Sequence, residues 1–283
     1  MSSEQLVVDD APTLRRVGLR GALAHTASRL REGLGNSIVR AYLVTFVISS
    51  LVVSTWFRAG TFISTGDMGP FIRQGWSEEM SWSWNHQITG AGSAAHTVGR
   101  ALEFFLIDIA DFVGGDEYLA QWMFYTLIYG FVAVGVAYAA GAIVKHPVAI
   151  VAAGTFSVLN GFFLTRLPNP LNIISVGTVA LFIGLALRIA KGRRISPVVG
   201  GIAFLPTSFL AFNPPMMVVA AMWAVAGTTV LSLLIMGWGG LWRLIKYFVK
   251  TAPWVILLNA WWLVPFAQAY TGGGGAEANA TFT

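Results

Sequence analysis

The stretch LNIISVGTVALFIGLALRIAKGRR, residues 171–194, decides the fold of this chain. Its apolar part, residues 171–189, is long enough for a helix across a hydrocarbon core of about 30 Å, which requires roughly 20 residues. The basic cluster at 191–194 ends the run. Because helices and closed barrels alone satisfy the backbone in lipid, and the run lacks the alternation of a barrel strand, it predicts a transmembrane helix.

Six further apolar runs have the same character and lie at 41–57, 119–144, 148–164, 198–212, 216–236 and 254–270. We therefore predict an all-α polytopic membrane protein with about seven transmembrane helices. Its predicted parts are a cytoplasmic basic segment at 1–40, a transmembrane module at 41–270 and an extracytoplasmic tail at 271–283.

The distribution of charge predicts the orientation of these spans. If the N-terminus is cytoplasmic, 14 of the 18 Lys and Arg residues fall on the cytoplasmic side, and nine of the 13 acidic residues fall outside. An excess of Lys and Arg in cytoplasmic loops is the usual orientation signal of helical membrane proteins. The pattern therefore predicts a multi-pass protein of the cell (plasma) membrane with its N-terminus inside.

Composition excludes several classes of function. With 55% hydrophobic and 11% charged residues, the chain is not a soluble domain, which would carry roughly a quarter charged residues. The net charge of +5 does not indicate a nucleic-acid partner, because the basic excess lies in short cytoplasmic turns. The absence of cysteine excludes disulfides and thiol catalysis. The middles of the spans carry almost no ionisable residues, which disfavours an ion-coupled transporter.

The longest predicted loop, residues 58–118 on the outer side, holds most of the residues able to do chemistry. Within it, residues 96–113 have the pattern of a juxtamembrane amphipathic helix, packed on the membrane surface or against the bundle. Asp67 follows Gly66 and precedes Gly69-Pro70. This aspartate is either a general base held in a tight turn or an ordinary turn residue.

Other residues of the loop also have two interpretations each. Trp82 and Trp84 are either interfacial anchors or stacking surfaces for a sugar ring. Arg73 and Arg100 either pair with nearby acids or bind an anionic group such as a lipid phosphate. His86 has one other histidine nearby in the sequence, which indicates a surface or hydrogen-bonding residue rather than a metal ligand. We predict no metal and no cofactor.

Taken together, these features resemble a known superfamily. The residues that carry the resemblance are Gly66-Asp67 with Pro70, the stretch from Trp82 to Ser93, Arg100 with Glu103, and Trp261-Trp262-Leu-Val-Pro265. With a large first outer loop followed by successive spans, the chain is similar to the GT-C membrane glycosyltransferases. Within them it most resembles the N-terminal part of the α-(1→3)-arabinofuranosyltransferases of cell-wall assembly and the YfhO-like membrane proteins.

The resemblance implies transfer of a sugar, such as arabinofuranose, from a polyprenyl-phosphate donor to a cell-envelope glycan outside the cytoplasm. It implies that Asp67 deprotonates the acceptor hydroxyl and that Arg73 or Arg100 holds the donor phosphate. The remaining residues expected at the substrate site are Trp82, Trp84, His86 and Glu103.

The chain departs from this superfamily in length. It has fewer spans and ends soon after the last run, in the stretch TGGGGAEANATFT. We therefore expect the N-terminal part of a longer enzyme, or one whose remaining spans come from a partner subunit. The alternative is a non-catalytic membrane subunit that binds lipid-linked intermediates or scaffolds an envelope complex. A transporter or lipid flippase is a third hypothesis.

Overall fold

A computed structural model describes residues 36–57, 61, 63, 100–161, 169–210 and 214–271. Within these ranges every regular element is a helix and no strand occurs. The elements in chain order are α1 (Ser37–Ser54), α2 (Ala101–Phe112), α3 (Glu117–Ile143), α4 (Pro147–Leu159), α5 (Pro170–Ala190), α6 (Pro197–Ala203), the 3-10 helix η1 (Leu205–Leu210) and α7 (Pro214–Thr271).

Four of these helices are long and apolar enough to cross a membrane, judged by length and composition: α1, α3, α5 and the part Pro215–Val264 of α7. They indicate a helical membrane protein, as the sequence predicts. In the described residues, the runs at 148–164 and 198–212 contain the shorter helices α4 and α6–η1. The last two predicted spans lie within α7, which stays helical through most of 237–250. The count of about seven spans is therefore not confirmed.

Residues that precede the helices determine where several of them begin. The side chain of Asn36 accepts a hydrogen bond from the backbone N–H of Ile38 ahead of α1 (2.9 Å), and that of Asp116 accepts one from Leu119 ahead of α3 (3.1 Å). Such caps satisfy amide groups that have no partner within the helix. Proline starts α4, α5 and α6, where its missing N–H removes no helical hydrogen bond.

The centre of the bundle is the contact between α3 and α5. A Cβ atom built on Gly135 would lie 2.9 Å from the carbonyl oxygen of Gly177, so the two backbones touch where these glycines meet. Small residues permit this close packing of membrane helices. Helices α1, α2 and α4 pack on α3, whereas α7 packs on α5 and α6. Tyr125 and Tyr129 of α3 are fully buried in the main apolar core.

The first arm of α7, residues 214–236, runs parallel to α5. Asn172 and Ile183 of α5 line one groove between the two helices together with Met216 and Gly227 of α7. The residue numbers of both helices therefore increase in the same direction along the groove. Gly227 lies directly against Ile183. Helix α6 and η1 return antiparallel to α5, so that Leu210 of η1 packs in the same apolar cluster as the start of α5.

The second arm of α7, residues 238–271, runs along α6. Tyr247 Oη donates to the carbonyl oxygen of Ser196 (3.0 Å), and Asn259 Nδ2 donates to that of Gly201 (3.1 Å). Because α6 is antiparallel to α5, the two arms of α7 run in opposite directions. The reversal lies at Gly237, where φ is 61° and ψ is −164°. This region of backbone conformation is essentially restricted to glycine.

Candidate functional site

The ionisable residues that the structure describes divide between the two ends of the bundle. The acidic end comprises α2 and the start of α3, and it holds all five acidic residues of the described ranges: Glu103, Asp108, Asp111, Asp116 and Glu117. The C-terminal end of α1 belongs to it, because the rings of Phe57 and Tyr118 pack with centroids 5.9 Å apart. The basic end lies opposite and holds nine of the ten described cations: Arg40, Lys145, Arg188, Lys191, Arg193, Arg194, Arg243, Lys246 and Lys250.

Two predicted site residues lie in the described part of the acidic end, and they form an ion pair with each other. Arg100 directly precedes α2 and Glu103 lies in its first turn, with 2.9 Å between Nη1 and Oε2. Both residues are buried, with 8% and 4% of their surface exposed. The sequence left two interpretations open for Arg100, pairing with a nearby acid or binding an anionic group. The structure contains the first of these, the pair with Glu103. Its role in holding a phosphate, and that of Glu103 in binding substrate, stay predictions.

The buried Gln121 of α3 fixes a second point at the acidic end. The backbone N–H of Ile63 donates to its Oε1 (2.8 Å), and its Nε2 donates back to the carbonyl oxygen of Ile63 (3.0 Å). Two reciprocal hydrogen bonds to a fully buried amide hold the backbone of Ile63 against α3. Arg100 directly precedes α2, which also packs on α3, so the described residues that flank positions 64–99 both lie at this end of the bundle.

The other predicted site residues, Asp67, Arg73, Trp82, Trp84 and His86, lie in the segment 64–99 and so outside the described residues. Their roles stay predictions. Within the described ranges, no group of three or more His, Asp or Glu residues is close enough to hold a metal ion.

Arg188, one of the 14 cations that the predicted orientation places on the cytoplasmic side, is buried near the basic end. Nη1 donates to the carbonyl oxygens of Tyr138 (2.8 Å) and Gly184 (2.9 Å), and Nη2 donates to the hydroxyl of Tyr42 (3.0 Å). The guanidinium carbon lies 3.6 Å from the centroid of the Tyr138 ring. One side chain thus joins α1, α3 and α5. Sequence reasoning missed this role, because an arginine in the last turn of a span equally fits a side chain that extends to the interface.

The turn that follows α5 carries exposed cations. Lys191 donates from its ammonium group to a backbone carbonyl at the end of α3. Arg193 and Arg194 are exposed beside it. Arg243, which comes from the second arm of α7, brings its Nη1 atom to 3.9 Å from the Cβ position of Gly192. The basic end therefore presents a cationic surface built from two distant segments of the chain.

The two ends differ in the chemistry that they support. The acidic end offers the carboxylates of α2 and of the start of α3, and carboxylates can accept protons. The basic end offers guanidinium groups, which bind anions. Comparison of this chain with protein-family models, with curated proteins and with solved structures gave no match in any of the three.

Proposed function

We propose that this chain is a membrane glycosyltransferase of the GT-C type, or the N-terminal module of one. In this proposal it transfers a sugar from a polyprenyl-phosphate donor to a cell-envelope glycan at the acidic end of the bundle. The observation that carries the proposal is that the described residues on either side of the segment 64–99, Ile63 and Arg100, both lie at this end. That segment contains Asp67 and every predicted site residue that precedes Arg100.

Group transfer requires reacting groups held in a narrow range of positions, and the described residues next to the segment provide two held points. Ile63, which Gln121 holds, precedes Asp67 by four residues. At the other end, the ion pair of Arg100 with Glu103 is buried at the start of α2.

In the proposed reaction, Asp67 takes the proton of the acceptor hydroxyl. The oxygen of that hydroxyl forms a bond to the anomeric carbon of the donor sugar. The bond from that carbon to the phosphate oxygen breaks, and polyprenyl phosphate leaves. We assign the phosphate contact to Arg73 rather than Arg100, because the Arg100 guanidinium already pairs with Glu103. The tryptophans of residues 82–84 provide apolar faces for the sugar ring.

Transfer of radiolabelled sugar from polyprenyl-phosphate donors, in membranes that contain the full chain and a glycan acceptor, tests the proposal. Asp67→Asn should lower transfer by roughly a hundredfold or more, which is the usual effect of losing a general base. Asp116→Asn is the matched control at the same end, because asparagine retains the oxygen that caps α3. If Asp67→Asn transferred sugar at the wild-type rate, the assignment of the base would be wrong.

A second function, that of a non-catalytic membrane subunit, is favoured by the same ion pair. Arg100 and Glu103 are both predicted to contact substrate, yet each is buried against the other at the start of α2. A scaffold subunit would use them only to hold α2 in place. Absence of transfer by the wild type, combined with lipid-linked intermediates that copurify with the chain, would favour this function over the enzyme.

A further inference from the structure

We propose that the basic end binds the phosphate headgroup of an anionic phospholipid at the arginine turn, by which we mean Arg193, Arg194 and Arg243 around Gly192. This inference concerns the end of the bundle opposite the proposed transfer site and does not depend on it.

The first argument is the concentration of like charge. Arg193 and Arg194 are adjacent, and the reversal of α7 brings Arg243 back to the same turn, within 3.9 Å of the Cβ position of Gly192. None of the acidic residues in the described ranges lies at this end. Cations gathered in this way repel one another unless an anion lies among them. A phosphate fits this requirement, because guanidinium groups bind phosphate oxygens in a bidentate manner.

The second argument is that neighbouring cations already have partners whereas the arginine turn faces outwards. Arg188 is buried among backbone carbonyls and the Tyr42 hydroxyl, and Lys191 donates to a carbonyl of α3. Lys246 lies over the ring of Trp242, 5.5 Å from its centroid. The arginines of the turn are exposed and close together. They are therefore placed to meet a ligand from outside as a group.

The third argument is the surface beside the turn, which selects a lipid over a soluble anion. Trp238 and Trp242 are 78% and 58% exposed at the start of the second arm, and Leu234 at the end of the first arm is 77% exposed. Exposed tryptophans beside apolar helix surface are typical of the boundary between membrane and water. Phospholipid phosphates lie at this boundary, and basic pockets between helices bind such headgroups.

Native mass spectrometry of the full chain in detergent, with equimolar dioleoylphosphatidylglycerol and dioleoylphosphatidylcholine, tests the inference. The wild type should retain the anionic lipid preferentially. The pair Arg193→Gln and Arg243→Gln should lower that preference by about fivefold for each cation removed. The matched pair Lys145→Gln and Lys250→Gln removes the same charge from exposed positions of the same end and should leave the preference within about twofold.

Three results would overturn the inference. The first is equal retention of both lipids by the wild type. The second is an equal loss of preference in both pairs of variants, which would make the attraction a diffuse effect of net charge. The third is release of the anionic lipid by millimolar inorganic phosphate, which would make the ligand a soluble anion. The variant Arg193→Lys with Arg243→Lys retains both charges and should keep most of the preference for the anionic lipid. That result would show that the loss in the Gln pair comes from the lost charges and not from misfolding.

Discussion

Arg100 and Arg188 are both buried arginines, but the two ends of the bundle accommodate them differently. At the acidic end, Arg100 pairs with the carboxylate of Glu103 at 2.9 Å. At the basic end, Arg188 has no carboxylate nearby among the described residues, and its donors reach two backbone carbonyls and the hydroxyl of Tyr42. The ring of Tyr138 covers its guanidinium face.

The comparison shows two ways of keeping a guanidinium group away from water. An opposite charge gives a strong attraction, but loss of either partner leaves a charge buried. Carbonyls, a hydroxyl and an aromatic ring give several weaker contacts, and loss of the arginine then leaves only neutral groups. The second arrangement suits an end at which the described ranges hold no acidic residue, because it needs no carboxylate partner.

The largest expected effect is that of Arg100→Met. Because Glu103 keeps its charge and loses its cation partner, the free energy of unfolding should fall by about 3 kcal/mol. Reversible unfolding of the full chain in mixed detergent micelles measures this. The double variant Arg100→Met with Glu103→Leu should lie within about 1 kcal/mol of the wild type. A double variant as unstable as the single one would show that the charge left on Glu103 is not the cause.

Arg188→Met makes the same chemical change at the other end and should cost less, about 2 kcal/mol. Three hydrogen bonds to α1, α3 and α5 are lost, but no charge is left behind. The same unfolding measurement, made beside Arg100→Met, gives the difference directly. A greater loss from Arg188→Met than from Arg100→Met would contradict the contrast between the two ends.

Gly237→Ala tests how the basic end is assembled and should cost about 1.5 kcal/mol. The substitution places a Cβ atom on a residue with φ of 61° and ψ of −164°, which strains the reversal that returns Arg243 to the turn after α5. Gly239→Ala, two residues later, meets no atom within 4 Å and should be neutral or slightly stabilising. Equal effects of the two substitutions on the unfolding free energy would show that the backbone conformation at position 237 does not require glycine.

The smallest expected effect is at the acidic end, where Asp116→Ala removes the cap of α3. The loss of one hydrogen bond to the backbone of Leu119 should lower the free energy of unfolding by about 1 kcal/mol. Asp116→Asn keeps the accepting oxygen and should retain most of that stability. If both substitutions were silent, the start of α3 would be held by its packing and not by the cap.

Much of the helical pattern could be predicted from the sequence, because a long apolar run is a local property. The run at 171–189 corresponds to α5 at Pro170–Ala190, and the run at 119–144 corresponds to α3 at Glu117–Ile143. The stretch 237–250, which separates the predicted spans at 216–236 and 254–270, forms part of α7. Its composition does not distinguish a connecting loop from the first turns of a returning helix.

Of the candidate site, the sequence supplied residue types, and for Arg100 and Glu103 the structure supplied the arrangement. Their spacing of three places both on one helix face, but it does not show whether a guanidinium turns to its neighbour or outwards. Gln121 escaped notice altogether, because a glutamine in an apolar run gives no sign of the backbone that it will bind, 58 residues earlier.

The sequence by itself determined that this chain is helical, apolar enough for a membrane and charged asymmetrically, since these properties add up residue by residue. The tertiary structure alone decided which of two adjacent tryptophans, Trp261 or Trp262, is buried. Trp262 is 1% exposed, stacks on Phe204 and donates to Asn259, whereas Trp261 is 48% exposed. The burial of Arg188 and the chain reversal at Gly237 were likewise decided by the tertiary structure. Each depends on contacts between residues far apart in the chain, and such contacts exist only after the helices have packed.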